Sequence, residues 1–128
     1  MLVGEVMNPV TAVVGPTHTL RQAAQRMIQH NTGAAIVMDH ALQGPAVVGE
    51  RDLLRAIATG LDPDIERVED HLHNELITAA PELSVDEAAT LMVKHGVRHI
   101  VVFDQGELVG VLSMRDVVRV MRFVPTRA

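Results

Sequence analysis

Apolar positions recur twice along this chain in the same order. One set falls at Leu20, Ala23, Ala24, Met27 and Ile28, the other at Val85, Ala88, Ala89, Met92 and Val93. Both are spaced i, i+3, i+4, i+7, i+8, the apolar stripe of an amphipathic helix. Thr19 and Ser84 stand just before them as N-caps, behind Pro16 and Pro81. His30-Asn31 and His95-Gly96 close them, as polar and glycine residues commonly close helices. Two short apolar runs follow each helix: Ala35 to Met38 with Ala46 to Val48, and Ile100 to Phe103 with Leu108 to Leu112. The turns between them, His40 to Pro45 after Asp39 and Gln105 to Glu107 after Asp104, predict antiparallel hairpins. A second helix then follows in each copy, with Asp52, Leu53, Leu54 and Ile57 matching Asp116, Val117, Val118 and Met121.

The chain therefore reads as an internal repeat of strand, helix, strand, strand, helix, residues 1–63 and 64–128. Gly60 to Pro63 stops the first copy, and Asp64 to His71 is a polar linker with a short helical turn. A copy of this size is small for an independent core. Packing the two copies through their sheets gives an α+β domain with pseudo-two-fold symmetry. Ligand clefts would then lie between the copies, where helix N-termini and strand ends converge.

Composition changes this picture in three ways. Phe103 and Phe123 are the only aromatics, so the core must be built from Val, Leu, Ile, Ala and Met, with Met27, Met92 and Met121 as gap-fillers. The formal charge of −5 argues against nucleic acid and anionic membranes, which select basic patches. Cysteine is absent, which removes disulfides, thiolate metal sites and thiol catalysis. No secretory signal and no membrane-spanning run are visible, so a cytoplasmic location is expected.

The candidate chemistry sits at Gly110-Val111-Leu112-Ser113-Met114-Arg115-Asp116. A glycine late in a strand allows close approach to the backbone. A serine opening a helix, with a carboxylate one turn later, can hold a ribose diol. The same Ser-x-x-Asp spacing also makes a capping box, and both readings stand at this point. Metal chemistry lacks support, because His71-Leu72-His73 has no third ligand nearby. Catalysis lacks it too: no Gly-x-Ser-x-Gly, P-loop or His-Glu-x-x-His occurs.

The stretch Gly96 to Asp104, leading through Gly106 into Ser113 and Asp116, together with the duplication, resembles a tandem pair of cystathionine-β-synthase-type (CBS) domains, a Bateman module. The resemblance spans about Val3 to Phe123. It implies a stand-alone regulatory sensor, not an enzyme, with no cofactor beyond a regulatory ligand: AMP, ADP, ATP or S-adenosylmethionine. Carried onto this sequence, Gly110, Ser113 and Asp116 complete the ribose motif. Val111, Leu112, Ala34 and Ala35 would flank the base, and Arg98, His99 and Arg115 would face phosphates. The first copy departs from the pattern. Ala46 stands for the glycine and Gly49 for the hydroxyl residue, although Asp52 remains. Val13 stands where threonine is usual, whereas Thr78 keeps it, and Ile36 and Val101 replace a usual strand proline. A weaker second site is thus expected around Gly49, Asp52 and Thr78, since one lost hydroxyl bond costs about 0.5–1.5 kcal/mol. The expected partners are a second copy of the chain, in a homodimer through exposed helices, and an unidentified protein that receives the signal. The competing reading is a scaffold module with vestigial sites.

Overall fold

The computed structural model describes residues 1–9, 12–38, 46–72 and 77–121. Its elements in chain order are α1 (Val3–Val6), β1 (Ala12–Val14), α2 (Leu20–Gln29), β2 (Ala34–Val37), β3 (Ala46–Gly49) and α3 (Glu50–Ala58). A 3₁₀ turn (Val68–His71) follows, then β4 (Thr78–Ala79), α4 (Val85–His95), β5 (His99–Asp104), β6 (Glu107–Ser113) and α5 (Met114–Val120). The turn at Asp39 to Pro45 and His73 of the His71-Leu72-His73 pair lie outside the described residues.

Each repeat builds one three-stranded sheet, β1-β2-β3 or β4-β5-β6. The helix between the first two strands makes that pair parallel, and the hairpin makes the second pair antiparallel, as the turns predict. The α2 and α4 helices start as their sequences direct. Thr19 Oγ1 accepts the Gln22 N–H at 3.2 Å, and Ser84 Oγ accepts the Glu87 N–H at 3.1 Å. Gly96 ends α4 at φ +64°, a left-handed position that glycine adopts without steric cost.

The chain divides into two compact units that do not follow the repeat boundaries at 63 and 64. One unit joins residues 1–9 to residues 77–121 of the second repeat; the other holds the described residues between 12 and 72. The N-terminal arm is stitched onto the second repeat by backbone. Val3 N–H donates to the Leu83 carbonyl at 2.8 Å, Gly4 N–H to Pro81 at 2.9 Å, and Val85 N–H to Met1 at 2.9 Å. At the matching positions of the other unit, Val68 N–H donates to His18 at 2.8 Å, Glu69 N–H to Pro16 at 2.9 Å, and Leu20 N–H to Glu66 at 3.0 Å. Val3 and Val68 are each fully buried in the core of the unit on which they dock. The polar linker is therefore a structural arm, equivalent to the N-terminal one.

Both cores are aliphatic. Around the second repeat, Val3, Val85, Met92, Ile100, Val102, Leu112 and Val117 pack together; around the first, Val14, Leu20, Met27, Ala35, Val37, Val48 and Val68 do so. Three expected core positions are instead on the surface: Met121, the residue just past the end of α5, is 56 % exposed, and the i+8 residues Ile28 and Val93 are 83 % and 76 % exposed. An i+8 residue has rotated roughly 80° from position i on a 3.6-residue helix. A helix lying on a single narrow sheet buries a smaller arc than that. Met27 and Met92 fill the core as expected. Among the described residues no helix is long and apolar enough to cross a membrane.

Candidate functional site

The last strand of the second repeat delivers Ser113 and Asp116 to the start of α5. Ser113 Oγ accepts the Asp116 N–H at 3.1 Å, and Asp116 Oδ2 accepts the Ser113 N–H at 2.9 Å. The capping-box reading of these residues is thus built, and it holds both side chains in place. Asp116 keeps one side chain edge available: its Oδ1 lies 3.6 Å from Arg119 Nη1, and its side chain is 13 % exposed. Arg119 is far more exposed, so that ion pair is weak. The Ser113 hydroxyl proton can donate while its oxygen accepts. A fixed donor and a fixed carboxylate, set side by side, suit a vicinal diol.

Several of the expected residues lie near this junction. His99 pairs with Ser113 across the β5–β6 ladder. The Arg98 carbonyl accepts the Met114 N–H at 2.8 Å, which ties the start of β5 to the start of α5. The Arg98 and Arg115 side chains are exposed. Thr78, expected with the weaker site, is an exposed residue of β4 in this same unit, paired with Val101.

The residues expected to flank a base divide by strand alternation. Leu112 is fully buried in the core with Ile100 and Val117, and Ala35 is fully buried with Val14 and Val48. Their side chains are core side chains. Val111 and Ala34 belong to the opposite sheet faces, at 4 % and 1 % exposure, and Ala34 is a residue of the other unit.

Gly110, expected to let a ligand approach the backbone, is closely approached by residues 7 and 8. A Cβ there would stand 2.8 Å from the Asn8 carbonyl oxygen and 2.8 Å from Met7 Sδ. The backbone that approaches it is the chain's own arm. Asn8 and Val111 exchange both backbone hydrogen bonds, at 2.9 and 3.1 Å. This contact joins residues about a hundred positions apart and leaves no trace in the local pattern around Gly110. The signal was present in the match of Val3 to Val68, which marks the first residues as a docking arm.

The first repeat builds the same junction without the hydroxyl. Gly49 N–H donates to Asp52 Oδ2 at 2.7 Å, and Glu50 N–H donates to the Gly33 carbonyl at 3.0 Å. Asp52 is only 6 % exposed. A Cβ at Gly49 would meet the Gly33 oxygen at 3.6 Å and Asp52 Oδ2 at 3.8 Å, ordinary contacts, and its φ of −123° suits any residue. Gly49→Ser should therefore be accepted and restore the missing cap. Serine over glycine at an N-cap adds a few tenths of a kcal/mol, and the stiffer unfolded chain adds about 0.4–1 kcal/mol. A rise of a few degrees in melting temperature by calorimetry is expected; a fall would show that the site is closed to a hydroxyl.

Comparison with known proteins follows the same lines. The CBS domain family matches residues 3–59 and 68–122. CBS domain-containing protein YhcV of Bacillus subtilis is 34% identical over 116 residues, covering 89% of this chain and 81% of that protein. An uncharacterized protein of Methanopyrus kandleri is 31% identical over 120 residues, covering 92% of this chain, which spans only 61% of that relative's length. Among solved structures, a CBS domain protein from Pyrobaculum aerophilum complexed with AMP superposes with a TM-score of 0.80 at 36% identity, covering 91% of this chain and 89% of that one. With two repeats of one topology, each matched by the family, the chain belongs to the CBS-domain family as a tandem pair.

Proposed function

We propose that this CBS pair is a non-catalytic sensor that binds an adenosine-containing ligand at the Ser113–Asp116 junction and passes the occupancy to a partner protein in the cytoplasm. The observation that carries this reading is the reciprocal Ser113–Asp116 cap, which presents a hydroxyl and a carboxylate already fixed in place. The AMP complex of the Pyrobaculum aerophilum relative supports the ligand class. Arg98 and Arg115 supply cationic groups suited to phosphate. Ligand binding shifts the module only by its difference in affinity between two arrangements.

A thermal-shift series with AMP, ADP, ATP, S-adenosylmethionine and NAD, with GTP as control, tests it. A ligand at 100 times its Kd adds about 2.7 kcal/mol. Asp116→Ala should abolish that increment, measured against the variant's own unliganded baseline, which falls because the cap is lost. Stabilisation that survives Asp116→Ala removes this junction from the reading.

The scaffold reading is favoured by one specific observation: Ala34, Ala35, Val111 and Leu112 are all buried, so a base must displace structure to reach them. In either reading we propose a homodimer. Leu54 at 68 % exposure, Ile57 at 62 % and Leu61 at 39 % form an apolar stripe at i, i+3, i+7 on and beyond α3. Leu54→Glu should convert the dimer to a monomer in light scattering; an unchanged mass would put the interface elsewhere.

A further inference from the structure

The two strand-to-helix junctions share one backbone and differ in charge. At the second, the Met114 N–H donates to the Arg98 carbonyl at 2.8 Å, and His99 pairs with Ser113 across the ladder. At the first, the Glu50 N–H donates to the Gly33 carbonyl at 3.0 Å, and Ala34 pairs with Gly49. These contacts put Gly33 where the second repeat has Arg98, Ala34 where it has His99, and Glu50 where it has Met114. Arg51 matches Arg115, and Asp52 matches Asp116, so neither pair distinguishes the junctions. Beside the first junction, then, a cation is lost and a carboxylate gained. Glu50 is exposed and opens α3, where it joins Asp52 in the first turn; the first turn of α5 carries Asp116 as its acid. Acidic groups in a first turn offset the positive end of the helix, which otherwise favours an anion.

Building on the adenosine reading, we propose that the two junctions sort ligands by charge, with Glu50 turning phosphorylated adenosine compounds away from the first, so that a chain takes one such ligand, at Ser113–Asp116. This cause is separate from the missing hydroxyl at Gly49. A hydroxyl serves every adenosine compound alike, because all of them carry the ribose. The Glu50 carboxylate acts only on those that carry phosphate, since a like charge held beside a ligand discriminates against it by repulsion. Asp52 stays in place at the first junction, so the sorting needs no change in the carboxylate that the two repeats share.

Titration calorimetry on the full chain, with AMP and adenosine as probes, tests this. The wild-type chain should take one AMP, and Asp116→Ala should remove it. Glu50→Gln should improve AMP binding at the first junction about tenfold, the order of one like charge near a half-exposed site. Adenosine binding should stay unchanged in that variant. Glu50→Lys should go further and give two AMP per chain. Gly49→Ser is the control, and should strengthen both compounds alike. Two AMP on the wild-type chain would overturn the inference. So would Glu50 variants that take no more AMP than the wild type, or that gain AMP and adenosine equally; in each case AMP at Ser113–Asp116 stands. A chain that binds neither compound at Ser113–Asp116 fails the adenosine reading itself, and the sorting with it.

Discussion

Leu112→Ala should lower stability by about 2–5 kcal/mol, the range for truncating a buried leucine. At about 4 °C per kcal/mol for a domain of this size, that corresponds to a fall in melting temperature of roughly 8–20 °C. Leu112 is fully buried, pairs with Ile100 across the β5–β6 ladder, and packs with Val3, Val85 and Val117. The resemblance to CBS domains makes the same residue a neighbour of the adenine. The two roles separate in a melt without nucleotide. A core residue loses stability there; a ligand contact keeps it and loses only the nucleotide-induced shift. Calorimetry of the unliganded variant decides. An unchanged melting temperature would return Leu112 to the ligand.

Gly110→Ala should cost about 1–3 kcal/mol, the range for overpacking a well-filled site. The added methyl group would meet the Asn8 carbonyl oxygen and Met7 Sδ, both at 2.8 Å. Met7 is a flexible side chain and can turn aside. Asn8 cannot, because its oxygen is backbone and accepts the Val111 N–H at 3.1 Å. The arm must shift, and the Asn8–Val111 bridge weakens with it. Replacing glycine also stiffens the unfolded chain, a gain of about 0.4–1 kcal/mol that is too small to reverse the sign. Gly49→Ala is the control, since its Cβ meets nothing closer than 3.6 Å. Chemical denaturation of both variants should show a loss at Gly110 and little change at Gly49. Equal effects at the two glycines would mean that the arm yields freely.

Periodicity carried most of the secondary structure. The stripes beginning at Leu20 and Val85, the caps at Thr19 and Ser84, and the apolar hairpin strands are local features set by backbone geometry and hydrogen bonding within a few residues. The same locality explains the Ser113–Asp116 cap, whose two partners lie one helical turn apart. It also explains the loss of the hydroxyl at Gly49, visible by aligning one repeat with the other.

The sequence by itself determined the repeat, its order of elements, the aliphatic core and the residues that cap α5, because each depends on spacing along one segment. Only the tertiary structure decided which apolar residues face inward. Ile28 and Val93 continue their stripes, yet a single sheet covers too small an arc of the helix to bury them. It decided that Leu112 and Ala35 belong to the cores, since strand alternation fixes that two faces exist but not what covers each. It also decided the docking of Met1–Asn8 on the second repeat, where the close approach of Asn8 to Gly110 joins residues distant in sequence through backbone hydrogen bonds that carry no side-chain pattern.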